Sequence, residues 1–416
     1  MAKMLLQCLA LLQVLIPAAA LAQGKRDVVT PRIAERELSF DVGQVNAAKN
    51  RAPLIRVGPE GRVYVVETSA HLLRIYSEKG ELVRKVSLGS DSVGAPGPLA
   101  AVGWLGDSLW ISDPDPLEIR LFNPVGVPLP SPAETTLTID NDPDRVPGQV
   151  LLFSDHSLLV ERSPSGRSVA EGYFPQLLLL HVSKSGAGID TLRAIRMEHA
   201  AVAFYDPATD ITAIGSQPFN DASRWAMESD GDALLVVDQE ATTAAGRSAY
   251  RVSRLLPSGQ AAFSRTYTCE AVSLSDSIAD EAVNRVVAMV GFEESIQLAV
   301  RSRLYFPRNL PPVKTVIAGN DGSIWIQRET PRRGVSRWDV LNQKGEMLGQ
   351  VVVPGAGSVV AADRERLWTW DLRPDGTIMV IRYRIPSGTA HTLKPARTLR
   401  FPRDQCKEAT QPPVLP

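Results

Sequence analysis

Short apolar runs broken by polar turns recur along most of this chain. In residues 61–90, "GRVYVVETSAHLLRIYSEKGELVRKVSLGS", an apolar run from Val63 to Val66 ends in Glu67. A second run reaches Ile75 and Tyr76 before a turn closed by Gly80, and a third follows. Runs of 4–8 residues rich in Val, Ile, Tyr and Trp, separated by Gly, Asp, Asn and Ser, predict antiparallel meanders rather than βαβ units. The first half of the unit returns as "LGDSLWISD", "SDHSLLVE", "DGDALLVVD", "DGSIWIQRE" and "RERLWTWD". The second half returns as "RLFNPVG", "LHVSKSG", "SRLLPSG", "DVLNQKG" and "RYRIPSG", ending at Gly126, Gly186, Gly259, Gly345 and Gly388. Glycine suits these corners because a tight hairpin needs a positive φ.

Six turn-strand units, each followed in register by a strand-turn unit, predict an all-β fold. About four strands per roughly 40–50 residues is the size of one propeller blade. The expected fold is a six-bladed β-propeller of four-stranded antiparallel blades over residues 36–402. Residues 36–43, "RELSFDVG", read as a strand ahead of blade 1 that closes blade 6 from outside; "ARTLRFP" competes for that place. One segment breaks the β pattern. "SIADEAVNRVVAMVGFEESIQLAVRSR", residues 277–303, spaces Ile278, Ala282, Val286 and Met289 helically, with Ser277 as cap and Asp280 and Glu281 in the first turn. It predicts two short amphipathic helices between blades 4 and 5, packed as a lid over one face.

The pattern "EGRVYVVE…LLRIYSEKGELVRKVSLG" resembles the NHL-type and TolB-like six-bladed β-propellers. The Gly-Pro-Gly link within "SLGSDSVGAPGPLAAVGWLGDSLWISD" is similar to the blade joins of exported bacterial six-bladed propellers. The resemblance implies the fold and leaves function open, because propellers host unrelated activities.

The first residues alter the picture by adding an address. Lys3, a short apolar core and Ala20-Leu21-Ala22 before Gln23 form a secretory signal peptide, with cleavage expected between Ala22 and Gln23. The predicted organisation is a signal peptide at 1–22, a linker at 23–35, the propeller, and a tail at 403–416 outside the ring. The protein is expected in the periplasm or secreted, without a transmembrane anchor, since the apolar run is too short and too interrupted to span a bilayer. Two cysteines follow the leader, Cys269 and Cys406. In an oxidising compartment a disulfide between them and two unbridged thiols are the alternatives.

Charge excludes one class of partner. Lys plus Arg number 45 against 46 Asp plus Glu, a net charge of -1, unlike the basic footprint of a nucleic-acid binder. The acids ending the repeated strands, Glu67, Asp113, Glu161, Asp238, Glu329 and Asp371, are candidate Ca²⁺ ligands. Their repetition in every blade favours a folding role, accepting backbone N–H groups at corners. Asn123, Asn141, Asn220, Asn320 and Asn342 show no spacing that assembles a lactonase-type site. His71, His156, His181, His199 and His391 show no paired zinc-ligand spacing. No nucleophile elbow, P-loop or dinucleotide fingerprint occurs. Arg332, Arg333 and Arg337 beside Trp338 read as a solvated hairpin loop. Trp110, Trp325 and Trp368 share one strand position and predict packing between blades.

No catalytic, cofactor-binding or metal residue is assigned. The expected function is an exported, non-enzymatic scaffold that binds a protein, peptide or glycan on one propeller face. The alternative is a metal-dependent hydrolase or lactonase-like enzyme with its site at the central channel.

Overall fold

Each repeated unit of the sequence folds as the second and third strands of one sheet. The computed structural model describes residues 31–44, 53–88 except 59 and 69, 101–130 except 115–116, 145–165, 176–206 except 187 and 198, 211–240, 246–290, 301–330, 334–387 except 356, and 407–408. The chain opens with β1 (Arg32–Ile33) and β2 (Glu35–Gln44). Blade 1 is β3 (Leu54–Val57), β4 (Val63–Glu67), β5 (Leu72–Tyr76) and β6 (Leu82–Ser87). Blade 2 is β7 (Ala101–Leu105), β8 (Ser108–Pro114), β9 (Leu117–Phe122) and β10 (Pro128–Leu129). Blade 3 is β11 (Arg145–Leu152), β12 (Leu158–Pro164), β13 (Leu177–Val182) and β14 (Ile189–Ile195). A separate hairpin follows, β15 (Ala201–Asp206) and β16 (Ile211–Ser216).

Blade 4 is β17 (Arg224–Met227), β18 (Leu234–Glu240), β19 (Arg247–Leu255) and β20 (Ala261–Glu270), and helix α1 (Asp276–Val290) leaves it. Blade 5 is β21 (Val313–Ala318), β22 (Ile324–Arg328), β23 (Val335–Leu341) and β24 (Met347–Pro354). Blade 6 is β25 (Ser358–Ala362), β26 (Arg366–Leu372) and β27 (Thr377–Arg384), completed by β2 as its outer strand. The last strand, β28 (Lys407–Glu408), adds to blade 4. The fold is a six-bladed β-propeller.

The hairpin corners repeat the same two bonds. In blade 1 the Ser77 amide donates to the Glu81 carbonyl and the Gly80 amide to the Ser77 carbonyl; Asn123, Ser183, Leu256 and Asn342 head equivalent turns. Gly80, at φ 83°, has a second reason to be glycine: a Cβ there would meet the Phe40 ring at 2.5 Å. The turns between first and second strands repeat likewise, with Gly61, Gly231 and Gly322 at the positive-φ position. In blade 3 that position is His156, at φ 67°.

The core lies between blades rather than within one. Tyr64, Leu73 and Ile75 pack on Trp104, Leu109 and Ile111 between blades 1 and 2. Tyr250 and Tyr267 pack on Val316 and Ile326 between blades 4 and 5. Trp325 and Trp338 meet Leu367 and Tyr383 between blades 5 and 6. Trp110, Trp325 and Trp368 are all buried, as their shared strand position predicts. Tyrosine hydroxyls add polar ties across the same seams: Tyr64 donates to Pro124 O, Tyr76 to Val42 O, Tyr383 to Pro354 O and Tyr267 to Gly345 O.

Ring closure follows the N-terminal reading. β2 pairs antiparallel with β27 from Glu35↔Arg384 to Gln44↔Thr377. The predicted linker is shorter than expected, because Arg32 and Ile33 already pair, in parallel, with Val351 and Val352 of blade 5. The competing segment "ARTLRFP" lies outside the described residues, as do Gly388 and the cleavage site at Ala22 and Gln23. The tail does not all stand clear of the ring, since Lys407 and Glu408 pair with β20.

The helical segment also departs from expectation. α1 begins at Asp276, and the amides of Ile278 and Ala279 both donate to Ser275 O, so the helix starts ahead of Ser277. Ala282 of α1 packs with Phe219 and Leu310, and Ile278 joins the same cluster. Residues 291–300, which hold the predicted break at Gly291, lie outside the described residues; a helical turn occupies 301–303. No helix among the described residues is long and apolar enough to cross a membrane.

Candidate functional site

The inner strands of the six blades stand side by side around a central channel. β3 lies beside β7 and β25, β7 beside β11, and β21 beside β17 and β25. They enclose a cavity of about 570 Å³ to which every blade contributes, through residues such as Val57, Val102, Leu151, Trp225, Val316 and Ala361. The apolar character of these positions follows from the fold, because inner strands are crowded by neighbouring blades. Among the polar lining residues the informative ones are Arg56, Glu161, Asn220, Arg224, Glu228 and Asn320.

Arg56 sits on β3, between buried Ile55 and Val57. Its Nη1 donates to Ile55 O at 3.0 Å, and desolvation lowers its pKa. Among the described residues no carboxylate pairs with it. This contrasts with the other channel cation. Arg224 donates Nε to Lys314 O at 2.9 Å, Nη1 to Asn220 Oδ1 and Ala222 O, and Nη2 to Asn220 O. Desolvation lowers its pKa against the opposing fields of Glu329 and Asp221. Desolvation likewise raises the Glu329 pKa, against Lys314 and Arg224.

Glu228 is neutralised by a bidentate pair, accepting Arg254 Nε at 2.7 Å and Nη2 at 2.6 Å. Glu161 accepts from Ser163 Oγ at 2.7 Å. Asn320 donates Nδ2 to Val57 O at 3.4 Å, tying blade 5 to blade 1. Arg56 therefore has the most unspent donor capacity of these polar groups, in a setting that strengthens any charge-assisted bond it makes.

The recurring acids separate in space. Glu67 pairs with Arg74 at 2.7 Å across one hairpin. Asp238 accepts both Arg193 Nη2 and Ser223 Oγ at 2.7 Å, linking blades 3 and 4. Asp113 is buried in blade 2. Of the six, Glu161 alone is among the channel-lining residues. No group of three His, Cys, Asp or Glu that suits a metal gathers among the described residues.

The histidines divide similarly. His71, at φ 45°, and His156 occupy turns, and His181 lies in β13 with its ring 6.0 Å from that of Phe153. His391 lies outside the described residues. His199 is different: its ring stacks on Tyr305 at 3.8 Å, and Nδ1 is 3.2 Å from Asp221. Among the asparagines, Asn123 and Asn342 cap hairpin turns through Oδ1, and Asn141 lies outside the described residues. Asn220 and Asn320 do converge on the channel, a convergence that sequence reasoning missed. The predicted solvated loop around Trp338 needs correction. Trp338 is a buried residue of β23, its Nε1 donating to Ser336 Oγ, and Arg337 donates to Gln350. Arg332 and Arg333 lie outside the described residues.

A buried polar network near this strand was also invisible in the sequence. Asp339, fully buried, accepts from Tyr250 Oη at 3.0 Å, Gln350 Nε2 at 2.6 Å and Arg328 Nη1 at 3.3 Å. Desolvation and Asp339 push the Tyr250 pKa well above its ordinary value. The network locks blade 4 to blade 5 and does not reach the channel lining.

No family model matches the sequence. No curated protein matches it either. Solved structures with a similar course of chain exist. A DUF4221 family member from Bacteroides vulgatus aligns at 9% identity and TM-score 0.47, covering 87% of this chain and 99% of that one. Regucalcin from Agrobacterium tumefaciens, described as a calcium-binding protein, aligns at 12% identity and TM-score 0.39, covering 86% and 97%. Virginiamycin B lyase from Staphylococcus aureus aligns at 11% and 0.36, covering 82% and 98%. Likeness at this level bears on neither ligand nor reaction.

Proposed function

We propose that this protein is an exported, NHL/TolB-like propeller that acts as a non-enzymatic binding scaffold. Its partner, a protein, peptide or glycan, inserts a carboxylate into the central channel against Arg56. The observation that carries this reading is the desolvated Arg56 guanidinium, which lines the cavity with no carboxylate beside it among the described residues. A guanidinium presents five donors in a planar fork that matches a carboxylate. Trp225 and the apolar inner strands offer surface for the rest of the inserted group.

A metal-dependent hydrolase of the lactonase type would use oxygen donors in the same channel, and Glu161, Asn220 and Asn320 are the ones lining it. The set does not fit a cation well. The Asn220 side-chain oxygen already accepts from the cationic Arg224, and of the two lining carboxylates among the described residues Glu228 is tied to Arg254 while Glu161 accepts from Ser163.

The test is calorimetric titration of the purified chain with acetate, succinate and an acidic peptide. Saturable binding that weakens by about 10–100-fold in Arg56→Met supports the reading, the loss expected for a charge-assisted contact of roughly 1.5–3 kcal/mol. Stoichiometric Ca²⁺ uptake lost in Glu161→Gln would replace it with the metal reading. Export is checked separately by mass analysis of the cell-envelope protein, where a chain beginning at Gln23 is expected.

A further inference from the structure

Glu161 is the member of the repeated acids that breaks the symmetry of the blades, and the strand beside it shows how. Pro147 faces Arg162 and Val150 faces Val160, so two residues of β11, Gly148 and Gln149, stand against the single Glu161 of β12. A bulge of this kind bends its strand and re-aims a side chain. Gly148 adds to the effect, because a Cβ there would meet Glu161 Cδ at 2.8 Å. The inner strand thus lacks a side chain at the point the carboxylate occupies, and Glu161 lines the channel. The inner strands of blades 5 and 6 bulge too. Their extra residues, Lys314 and Val360, fall between Arg328 and Gln327 and between Thr369 and Trp368, not against an acid.

The carboxylate so placed is held by neutral donors. Ser163 Oγ donates to Oε1 at 2.7 Å and the Gln149 amide to Oε2 at 3.4 Å; among the described residues no Lys, Arg or His is paired with it. An ionised carboxylate has about four acceptor positions, so capacity remains. Arg56, from blade 1, lines the same cavity with donors to spare. One cavity of about 570 Å³ therefore presents an anion and a cation that do not neutralise a partner among the described residues. A bare carboxylate bound there would meet Glu161 as a like charge, which costs affinity.

We propose that the group bound in the channel is a small amino-carboxylate zwitterion, its carboxylate on Arg56 and its ammonium on Glu161. The inference rests on the Arg56 reading above and adds an ammonium site to it. An ammonium offers three donors and no acceptor, which suits the unfilled acceptor positions of Glu161. The two charges come from different blades, which favours a molecule with its charged ends apart, such as a short free peptide, over an α-amino acid. Trp225 and Leu151 supply apolar wall for the stretch between them.

The experiment is calorimetric titration of the full chain, near neutral pH, with probes matched except for the ammonium group. The pairs are ε-aminocaproate with caproate, and trialanine with N-acetyl-trialanine. The ammonium-bearing member of a pair is expected to bind about 10–100-fold more tightly, the size of a charge-assisted contact. That advantage should vanish in a Glu161→Gln chain with wild-type circular dichroism. Equal affinity within both pairs, or an advantage that survives Glu161→Gln, overturns the ammonium site while leaving the Arg56 reading standing. Binding that ignores Arg56→Met, or no binding of any probe, overturns both. The matched-probe comparison is made on the wild-type chain, so it holds even where the Gln variant does not fold.

Discussion

The two ends of the chain are both stitched into the propeller, but by different means. The N-terminal end supplies β2, whose ladder against β27 runs from Glu35 to Gln44, and β1, which reaches blade 5. Ala34 and Val42 are buried there, and Arg382 carries the seam onward by donating Nε to Glu37 at 2.9 Å and Nη1 to Glu78 O of blade 1 at 3.0 Å. The C-terminal end contributes two residues, Lys407 and Glu408, to an edge already complete. A long ladder with buried side chains holds itself, since each buried Val or Phe is worth about 1.5–3 kcal/mol. A two-residue ladder, without a comparable run of buried side chains among the described residues, holds far less.

The largest effect should come from breaking the first seam. A chain starting at residue 45 leaves blade 6 with three strands and an open edge, and denaturant unfolding is expected to lose its single cooperative transition. Arg382→Ala tests the polar part of the N-terminal seam, with a loss of about 1–3 kcal/mol expected by the same measurement, because Glu37 and the blade 1 turn lose their shared donor. His156→Gly is expected to shift stability by less than about 1 kcal/mol, and upward if the positive φ is strained, since Gly occupies the equivalent corner of blades 1, 4 and 5.

The smallest effect concerns acid. Desolvation would raise the Asp321 pKa, but bonds from Ser323 and Arg364 prevail and hold it below the ordinary value. Its contribution to stability is therefore complete above the unfolded carboxylate pKa and is lost as pH falls through the folded one. Asp321→Asn should flatten that part of the curve in denaturation measured across acid pH, while neutral-pH stability moves more than the acid-pH value.

How much of this was legible beforehand depended on range. "VYVVE" and "RIYSEKG" are read locally, because apolar alternation and a turn glycine act within a few residues. The same local chemistry places "LWTWD" and "IWIQR" as second strands and Trp325 and Trp368 in blade seams. The recurring acids were read as corner residues, but Asp113, Glu161 and Asp238 lie within strands, and Glu67 and Asp238 pair with arginine side chains. Glu161 alone of them faces the channel, and nothing in its immediate sequence sets it apart from Glu67. Arg56, Asn220 and Asn320 carry no shared spacing, being drawn from blades 1, 4 and 5 and their approaches.

The amino-acid order by itself determined a repeating β-meander and the number of repeats, and it left two segments competing to close the ring. Those features arise from contacts between near neighbours and from turns that demand particular residues. Which polar side chains meet in the channel, and which cation stands there with no carboxylate beside it among the described residues, were decided only when the sheet curved into a ring. Closure is what brings distant strands within bonding distance, and no local pattern encodes that encounter.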